Sequence, residues 1–358
     1  MSQSLEALRR QIDAIDDQLL ELLNSRMQIV KEVGRLKKAQ NTVIYRPERE
    51  KQILERLQQK TAGLLNRQAL EAIFLEIFAA SRTLELPEKV AYLGPEGSFT
   101  HALAESRFGA MSEYFPLPTI ATVFEAVQTG KARFGVVPIE NNQEGVVGET
   151  MDSLERFELK IVAEAAQPIH FCLASTADSI RTIRKLYSKD IAFRQCRSFM
   201  AKYLADQEVE IVPVNSTSEA ARLALQEGAQ TAALCSVVAA KLYKLPVLFE
   251  NVEDADNNIT RFLILAKDFV NQKGPEDKTT ILAKLPDTPG SLAGFLQDFY
   301  TRGINLTKIE SRPIRGNRGF AAWFYIEFEG HRDDASVQEL FSLYADRLIW
   351  LGSYAKML

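Results

Sequence analysis

The sequence predicts a three-part chain: an all-helical segment, then an α/β unit, then a smaller α+β unit. Three observations predict it. Apolar residues recur every three or four positions over 4–39, the period of one helix face. From Lys89 onward, short apolar runs alternate with helical patterns, the rhythm of an α/β fold with largely parallel sheet. After a polar linker at 271–278, the order strand, helix, strand, strand, helix, strand is that of a ferredoxin-like βαββαβ unit. The implied domains are 1–87, 88–270 and 278–358.

In the first part, Leu5, Leu8, Ile12, Ile15, Leu19, Leu22, Leu23, Val30, Val33 and Leu36 form the repeat, with Ser4 as N-cap. At ~1.5 Å per residue such a helix is roughly 50 Å long. A helix of that length needs a partner along its apolar stripe, which predicts an even-numbered oligomer, a homodimer or homotetramer. Arg46-Pro47 opens a second helix to about Lys60, and a third runs from about Asn66 to Leu86, where Pro87 stops it. In the second part, strands are expected at 134–138, 160–164, 170–174, 191–193, 211–214, 232–234 and 261–265. In the third, strands are expected at 279–285, 304–312, 321–328 and 348–354, with helices at 290–302 and 335–345.

The 358 residues are 46% hydrophobic and 25% charged, enough apolar material for real cores. A net charge of −4 argues against a nucleic-acid partner, so attraction for an anionic substrate must come from local cations. No apolar run reaches the ~20 residues of a membrane span, and Met1–Ser4 leads straight into a charged helical pattern, so a cytoplasmic protein is expected. Cys172, Cys196 and Cys235 are widely spaced and read as buried free thiols. No cluster has metal-ligand spacing, and neither a metal nor another cofactor is expected. His101 and His170 read as structural histidines.

Arg26 and Lys37 are eleven residues apart and so return within about 20° of one helix face, where they can lean over a small dianion. Arg9 lies about 100° off that face and would serve a neighbouring subunit. With Arg49-Glu50, Ser81 and Glu85, this pattern resembles the all-helical chorismate mutases. The resemblance implies a dimer in which Arg9 reaches the partner's site, while Arg26, Arg49, Glu50 and Ser81 contact substrate carboxylates and hydroxyl. Lys37 and Glu85 would face the ether oxygen. A pericyclic rearrangement needs no nucleophile, only a compact bound conformer and donors where charge develops. Position 85 is Gln in some relatives; a glutamate donates only when protonated, so mutase activity is expected to improve towards acid pH. Arg46 is assigned no role.

The run Tyr92-Leu93-Gly94-Pro95-Glu96-Gly97-Ser98 is a glycine-rich turn that lacks the spacing of a P-loop or a dinucleotide fingerprint. Pro138-Ile139-Glu140-Asn141 ends a strand at the edge where ligands bind in α/β sheets. Ser216-Thr217 opens a helix with hydroxyls, and Asn258-Ile259-Thr260-Arg261-Phe262 sets a hydroxyl beside a permanent cation. With Ser188 and Gln195, these segments resemble prephenate dehydratases over about 89–268. The resemblance implies two α/β lobes, like periplasmic binding proteins, with the site in the cleft. Thr260 would donate to the leaving hydroxyl, working as a positioned hydrogen-bond donor because threonine is a weak acid. Glu140, Asn141, Ser188, Gln195, Ser216 and Thr217 would bind substrate, and Arg261 would orient a carboxylate or the motif itself. Asn142 and Lys189 depart from the family's Ser/Thr and His.

Gly290-Ser291-Leu292 after Asp287-Thr288-Pro289, and Asn305 with Glu310-Ser311-Arg312-Pro313, resemble the ACT regulatory domains attached to prephenate dehydratases. By that resemblance Gly290, Ser291, Leu292 and Asn305 lie near a bound phenylalanine, and Glu310, Ser311, Arg312 and Pro313 shape an interface. The three resemblances, in this order, imply a bifunctional enzyme that converts chorismate to prephenate and prephenate to phenylpyruvate, inhibited by L-phenylalanine. The alternative is a dehydratase whose N-terminal helices only dimerise or regulate.

Overall fold

The structure is a computed structural model that describes residues 5–39, 47–61, 63–85, 89–109, 112–268, 271–313 and 322–356. Ser4, Arg46 and Pro87 lie outside the described residues, as do the side chains of Lys37 and Glu85. The chain divides into two compact units, Met1–Glu88 with Phe108–Glu113, and Lys89–Arg107 with Tyr114–Leu358.

The first unit holds α1 (Leu5–Ala39), α2 (Pro47–Lys60) and α3 (Arg67–Glu85). Pro47 starts α2 at the position where a missing N–H costs nothing. Along α1, Leu5, Leu8, Ile12, Ile15, Leu19 and Leu22 are between 40% and 68% exposed. A stripe of that size left in water is unusual for a folded chain.

The second unit contains, in order, β1 (Lys89–Leu93), α4 (Phe99–Phe108), β2 (Glu113–Leu117), α5 (Ile120–Gln128), β3 (Phe134–Asn141), β4 (Gly145–Val146), α6 (Gly148–Arg156) and β5 (Lys160–Pro168). There follow β6 (Cys172–Ala174), β7 (Lys185–Ser188), α7 (Asp190–Gln195), α8 (Arg197–Tyr203), β8 (Glu210–Pro213), α9 (Thr217–Glu227), β9 (Thr231–Cys235), α10 (Val237–Leu242), β10 (Val247–Phe249) and β11 (Ile259–Ala266). The last stretch is β12 (Asp277–Ala283), α11 (Ser291–Thr301), β13 (Leu306–Pro313), β14 (Ala322–Glu329), α12 (Ala335–Leu343) and β15 (Leu348–Ala355).

Two lobes result. One is built on the sheet β2-β1-β3-β11-β5, the other on β10-β6-β9-β7-β8. The largely parallel sheet expected from the rhythm is corrected to mixed sheets: β11 enters between β3 and β5 antiparallel to both, and β6 runs antiparallel to β9. The alternating rhythm does not reveal a late strand that returns to the first sheet. The strand expected at Ile191–Phe193 is instead inside α7, and the strand of that region is Lys185–Ser188. Three apolar residues in a row fit either state, and here Asp190 in the first turn favours the helix.

The third sheet, β13-β14-β12-β15, shares its core with the first lobe. Leu282, Trp323, Tyr325, Leu351 and Tyr354 bury against Ile139, Ile161, Leu263 and Leu265 in one cluster. At Gly352 the backbones nearly touch: a Cβ there would lie 2.1 Å from the carbonyl oxygen of Ile161. The run 271–278, read as a linker, is tied into this junction. Asn271 is buried and donates to the carbonyls of Val162 (2.7 Å) and Ser353 (2.9 Å), and Asp277 and Lys278 already belong to β12.

Candidate functional sites

In the helical unit α1 and α3 bring Arg26 and Ser81 together. The Arg26 guanidinium donates to the Ser81 hydroxyl and lies 5.8 Å from the Phe78 ring centroid. Ser81 in turn donates to the Ile77 carbonyl at 2.6 Å, which fixes its rotamer. Partial burial pulls the Arg26 pKa down, and nearby Glu50 offsets part of that. Glu50 on α2 accepts from Arg82, a buried arginine of α3 that the motif reading missed. So Arg26, Glu50 and Ser81 form one polar group. Arg9 and Arg49 are solvent-exposed.

In the second unit, the register of β3 and β11 sets the chemistry. Phe262 pairs with Pro138 and Arg261 with Glu140, so Ile139 is an extra residue, a one-residue bulge in β3. A bulge flips the alternation of every residue beyond it. Asn141 therefore shares a face with its partner Thr260, while Glu140 shares the opposite face with Arg261.

The Thr260 face carries a chain of amides whose directions follow from one another. The backbone N–H groups of Gln143 and Glu144 donate to Asn141 Oδ1 at 2.9 and 3.0 Å. That leaves Asn141 Nδ2 to donate to Thr260 Oγ1 (2.8 Å) and to Asn258 Oδ1 (2.8 Å). Asn258 Nδ2 then donates to Gln195 Oε1 at 2.9 Å. Two consequences follow. With a lone pair occupied by Asn141, the Thr260 hydroxyl has its proton available to a bound oxygen. Among the described residues the buried Gln195 Nε2 has no partner, a donor available to an acceptor such as a carboxylate. Asn258, only 2% exposed, orients both ends of this chain, a role the motif reading did not assign.

Asn142 grips the backbone beside Thr260: its Oδ1 accepts from Ile259 N–H and its own N–H donates to the Ile259 carbonyl, both at 3.0 Å. Ser188 is fully buried and donates to the Leu234 carbonyl at 2.7 Å. Ser216 caps α9 by accepting from Glu219 N–H at 3.0 Å, and Thr217 is buried in its first turn. The Gly97 turn is held by Ser218 and Ser236, which donate to the carbonyls of Glu96 and Gly97. Gly97 has φ +80°, and a Cβ there would meet the Ser218 hydroxyl at 2.8 Å, so the turn requires glycine. His101 accepts from Gly97 N–H (3.1 Å) and stacks on Tyr92, while His170 pairs with Glu253 at 2.6 Å.

On the opposite face Arg261 is wholly engaged with carboxylates: Glu164 (2.9 Å), both oxygens of Glu327 (2.8 Å) and Glu140 (2.9 Å). Lys278 joins Glu164 (2.7 Å) and Glu327 (2.9 Å), and Lys308 joins Glu140 (2.5 Å). Burial alone would raise the Glu140 pKa; Lys308 and Arg261 outweigh it and hold Glu140 below its ordinary value. Glu327 is likewise held down, as Arg261 and Lys278 outweigh burial. Burial opposes the Arg261 charge, but Glu327 and Glu164 raise its pKa further.

In the third sheet Gly290 caps α11 in the left-handed region, φ +84°, where glycine carries no steric cost. Ser291 N–H donates to the Thr288 carbonyl at 3.1 Å, and Leu292 is half-buried beside it. Asn305 donates to Glu329 at 3.1 Å. Along β13, Ser311 and Pro313 are exposed and Glu310 and Arg312 half-buried; Arg312 pairs with Asp152 at 2.8 Å. The cysteines are buried and free, with the sulfurs of Cys172 and Cys235 3.8 Å apart. Among the described residues no group of His, Cys, Asp or Glu converges to hold a metal ion, and no helix is long and apolar enough to cross a membrane.

Known proteins match along the whole chain. Family models match at residues 8–86 (chorismate mutase type II), 90–269 (prephenate dehydratase) and 279–341 (ACT domain). The bifunctional chorismate mutase/prephenate dehydratase of Aquifex aeolicus (strain VF5) is 40% identical, covering 99% of this chain and 99% of the relative. Its counterpart in Pseudomonas aeruginosa is 37% identical, covering 98% of each. Among solved structures, prephenate dehydratase from Arthrobacter aurescens in complex with L-Phe is similar at TM-score 0.69 and 33% identity, covering 75% of this chain and 90% of that one.

Proposed function

The chain belongs to the bifunctional chorismate mutase/prephenate dehydratase family, and we propose that the residues assembled above carry out that family's two reactions in sequence. In the helical unit, Arg26, Arg49, Glu50 and Ser81 bind chorismate through its carboxylates and hydroxyl. By the family resemblance, Lys37 and Glu85 would face the ether oxygen of the breaking bond. No proton is gained or lost overall, so catalysis consists of holding the compact conformer and stabilising the charge that develops on that oxygen. Arg9 enters the site of a second copy. The exposed apolar stripe of α1 supports a dimer, because only another helix removes it from water.

Prephenate then meets Thr260. As a dianion it takes up one proton and gives phenylpyruvate, CO2 and water. The ring C–O bond breaks with its electron pair going to oxygen, and the C–CO2 pair moves into the ring, which becomes aromatic. The observation that carries the assignment is the Asn141–Thr260 hydrogen bond, in which the hydroxyl oxygen accepts and so keeps its proton for donation to the leaving oxygen. Gln195 Nε2 supplies a second donor, to a substrate carboxylate. Ser216 and Thr217 complete the binding surface, and the buried Ser188 supports it from behind. Glu140 and Arg261 act one row behind it, orienting the motif.

The third domain senses L-phenylalanine through Gly290, Ser291, Leu292 and Asn305, with Glu310, Ser311, Arg312 and Pro313 shaping the interface. The phenylalanine bound in the Arthrobacter aurescens relative supports this reading. The chain works in the cytoplasm. The test is to feed chorismate and follow prephenate and phenylpyruvate, with and without L-phenylalanine. Thr260→Ala is expected to accumulate prephenate at an unchanged mutase rate; loss of both activities together would overturn the division of labour.

A further inference from the structure

Thr260 is the second residue of β11, paired with Asn141 on β3 and Gln167 on β5, and the bulge in β3 follows immediately after the Arg261–Glu140 pair. Behind that pairing lies a second, side-chain clamp. Arg261, the next residue, and Glu140, the neighbour of Asn141, are clamped by side chains of the third sheet. Glu327 lies on β14, Lys278 on β12 and Lys308 on β13, and Lys308 and Glu327 are cross-strand partners. Together with Glu164 they make a group of three cations, Arg261, Lys278 and Lys308, and three carboxylates, Glu140, Glu164 and Glu327.

The group is balanced in charge and mostly buried: Glu327 is 2% exposed, Glu164 4% and Lys278 6%. Ions in such a place are held only where each has a partner, and a pair placed there fixes geometry more than it adds stability. The Tyr325 hydroxyl donates to Glu327 at 2.7 Å and completes its shell. Every terminal nitrogen of Arg261 that would otherwise reach a substrate is committed to this group.

We propose that Glu327, Lys278 and Lys308, residues of the regulatory sheet, are positioning residues of the dehydratase centre, holding the Glu140–Arg261 row so that Asn141 and Thr260 meet the substrate correctly. The dehydratase site is then incomplete without the third domain. The inference rests on Thr260 being the dehydrating centre. A displacement of β13 would move Lys308 off Glu140 and disturb the site without blocking it. Misplacement of catalytic groups by an ångström costs on the order of 100-fold in rate.

The experiment compares Glu327→Gln, Glu327→Asp and Lys308→Met in the full chain, reading kcat and KM for prephenate, the mutase rate and the unfolding temperature. Glu327→Gln is expected to lower dehydratase kcat about 10- to 100-fold with KM within about twofold, at a normal mutase rate. Glu327→Asp recovers part of the loss, and Lys308→Met lowers kcat in the same sense. The double variant Lys278→Met/Glu327→Gln restores charge balance, so its unfolding temperature recovers while kcat stays low. If Glu327→Gln does not fold, Lys308→Met and the double variant decide. Wild-type kcat in folded Lys308→Met and in the double variant overturns the proposal, as does a rise in KM alone. A parallel Thr260→Ala separates the two failures: if it still dehydrates prephenate, the site assignment is at fault and not the clamp.

Discussion

Replacing Asn258 by Asp tests the amide chain, because it changes one group and leaves the shape alone. Asn258 Oδ1 accepts from Asn141 and its Nδ2 donates to Gln195 Oε1. In the variant both positions are acceptors. Asn141 is unaffected, but a carboxylate oxygen facing Gln195 Oε1 is repulsive, so the Gln195 amide turns over and donates Nε2 to the new carboxylate. The atom with no protein partner is then Oε1, an acceptor presented to an anionic substrate. A hydrogen bond to a charged group contributes about 1.5–3 kcal/mol. At about 1.4 kcal/mol per decade, the loss is roughly 10- to 150-fold in kcat/KM for prephenate. The assay is phenylpyruvate formation from prephenate on protein shown to be folded by its unfolding transition, with Gln195→Leu as comparison. Equal losses in Asn258→Asp and Gln195→Leu fit the argument. A folded Asn258→Asp enzyme with kcat/KM within twofold of wild type would refute the orientation derived for Gln195.

Three further outcomes are expected. Gly352→Ala places a methyl 2.1 Å from the Ile161 carbonyl oxygen, and because backbone cannot swing aside it should cost at least about 1–3 kcal/mol in urea unfolding of the second unit. Arg26→Ala should lower the mutase rate at least 100-fold while prephenate is still dehydrated; an unchanged mutase rate would mean that the helices only dimerise or regulate. Glu140 and Glu327 have folded pKa values below their ordinary ones, so they stabilise the fold above the unfolded glutamate value of about 4.3. That contribution is lost as pH falls through the lower folded values. The unfolding temperature should therefore fall below about pH 4.3, and less steeply in the charge-balanced Lys278→Met/Glu327→Gln variant.

Much of the molecule was legible in the sequence because periodicity, caps and motif residues are local. The long helix, the strand–helix rhythm and the βαββαβ order follow from patterns within short windows, whereas Thr260, Asn141 and Gln195 were brought into one site only by the resemblance to prephenate dehydratases. Glu164 and Glu327 also left a trace: each is a carboxylate inside an otherwise apolar strand, Val-Ala-Glu-Ala and Tyr-Ile-Glu-Phe, where an ion needs a partner. The partner's identity left none, since Arg261 and Glu327 are 66 residues apart in the chain.

Only tertiary structure decided the rest. The return of β11 between β3 and β5 sets which side chains are neighbours, and no sequence period encodes it. The bulge at Ile139 decides which face each residue takes, because strand alternation has a period of two and one extra residue inverts it. By composition Glu140 and Asn141 are equally suited to touch a substrate. The bulge sends Asn141 to Thr260 and Glu140 to the charges behind it, a choice made by long-range pairing between segments about 120 residues apart.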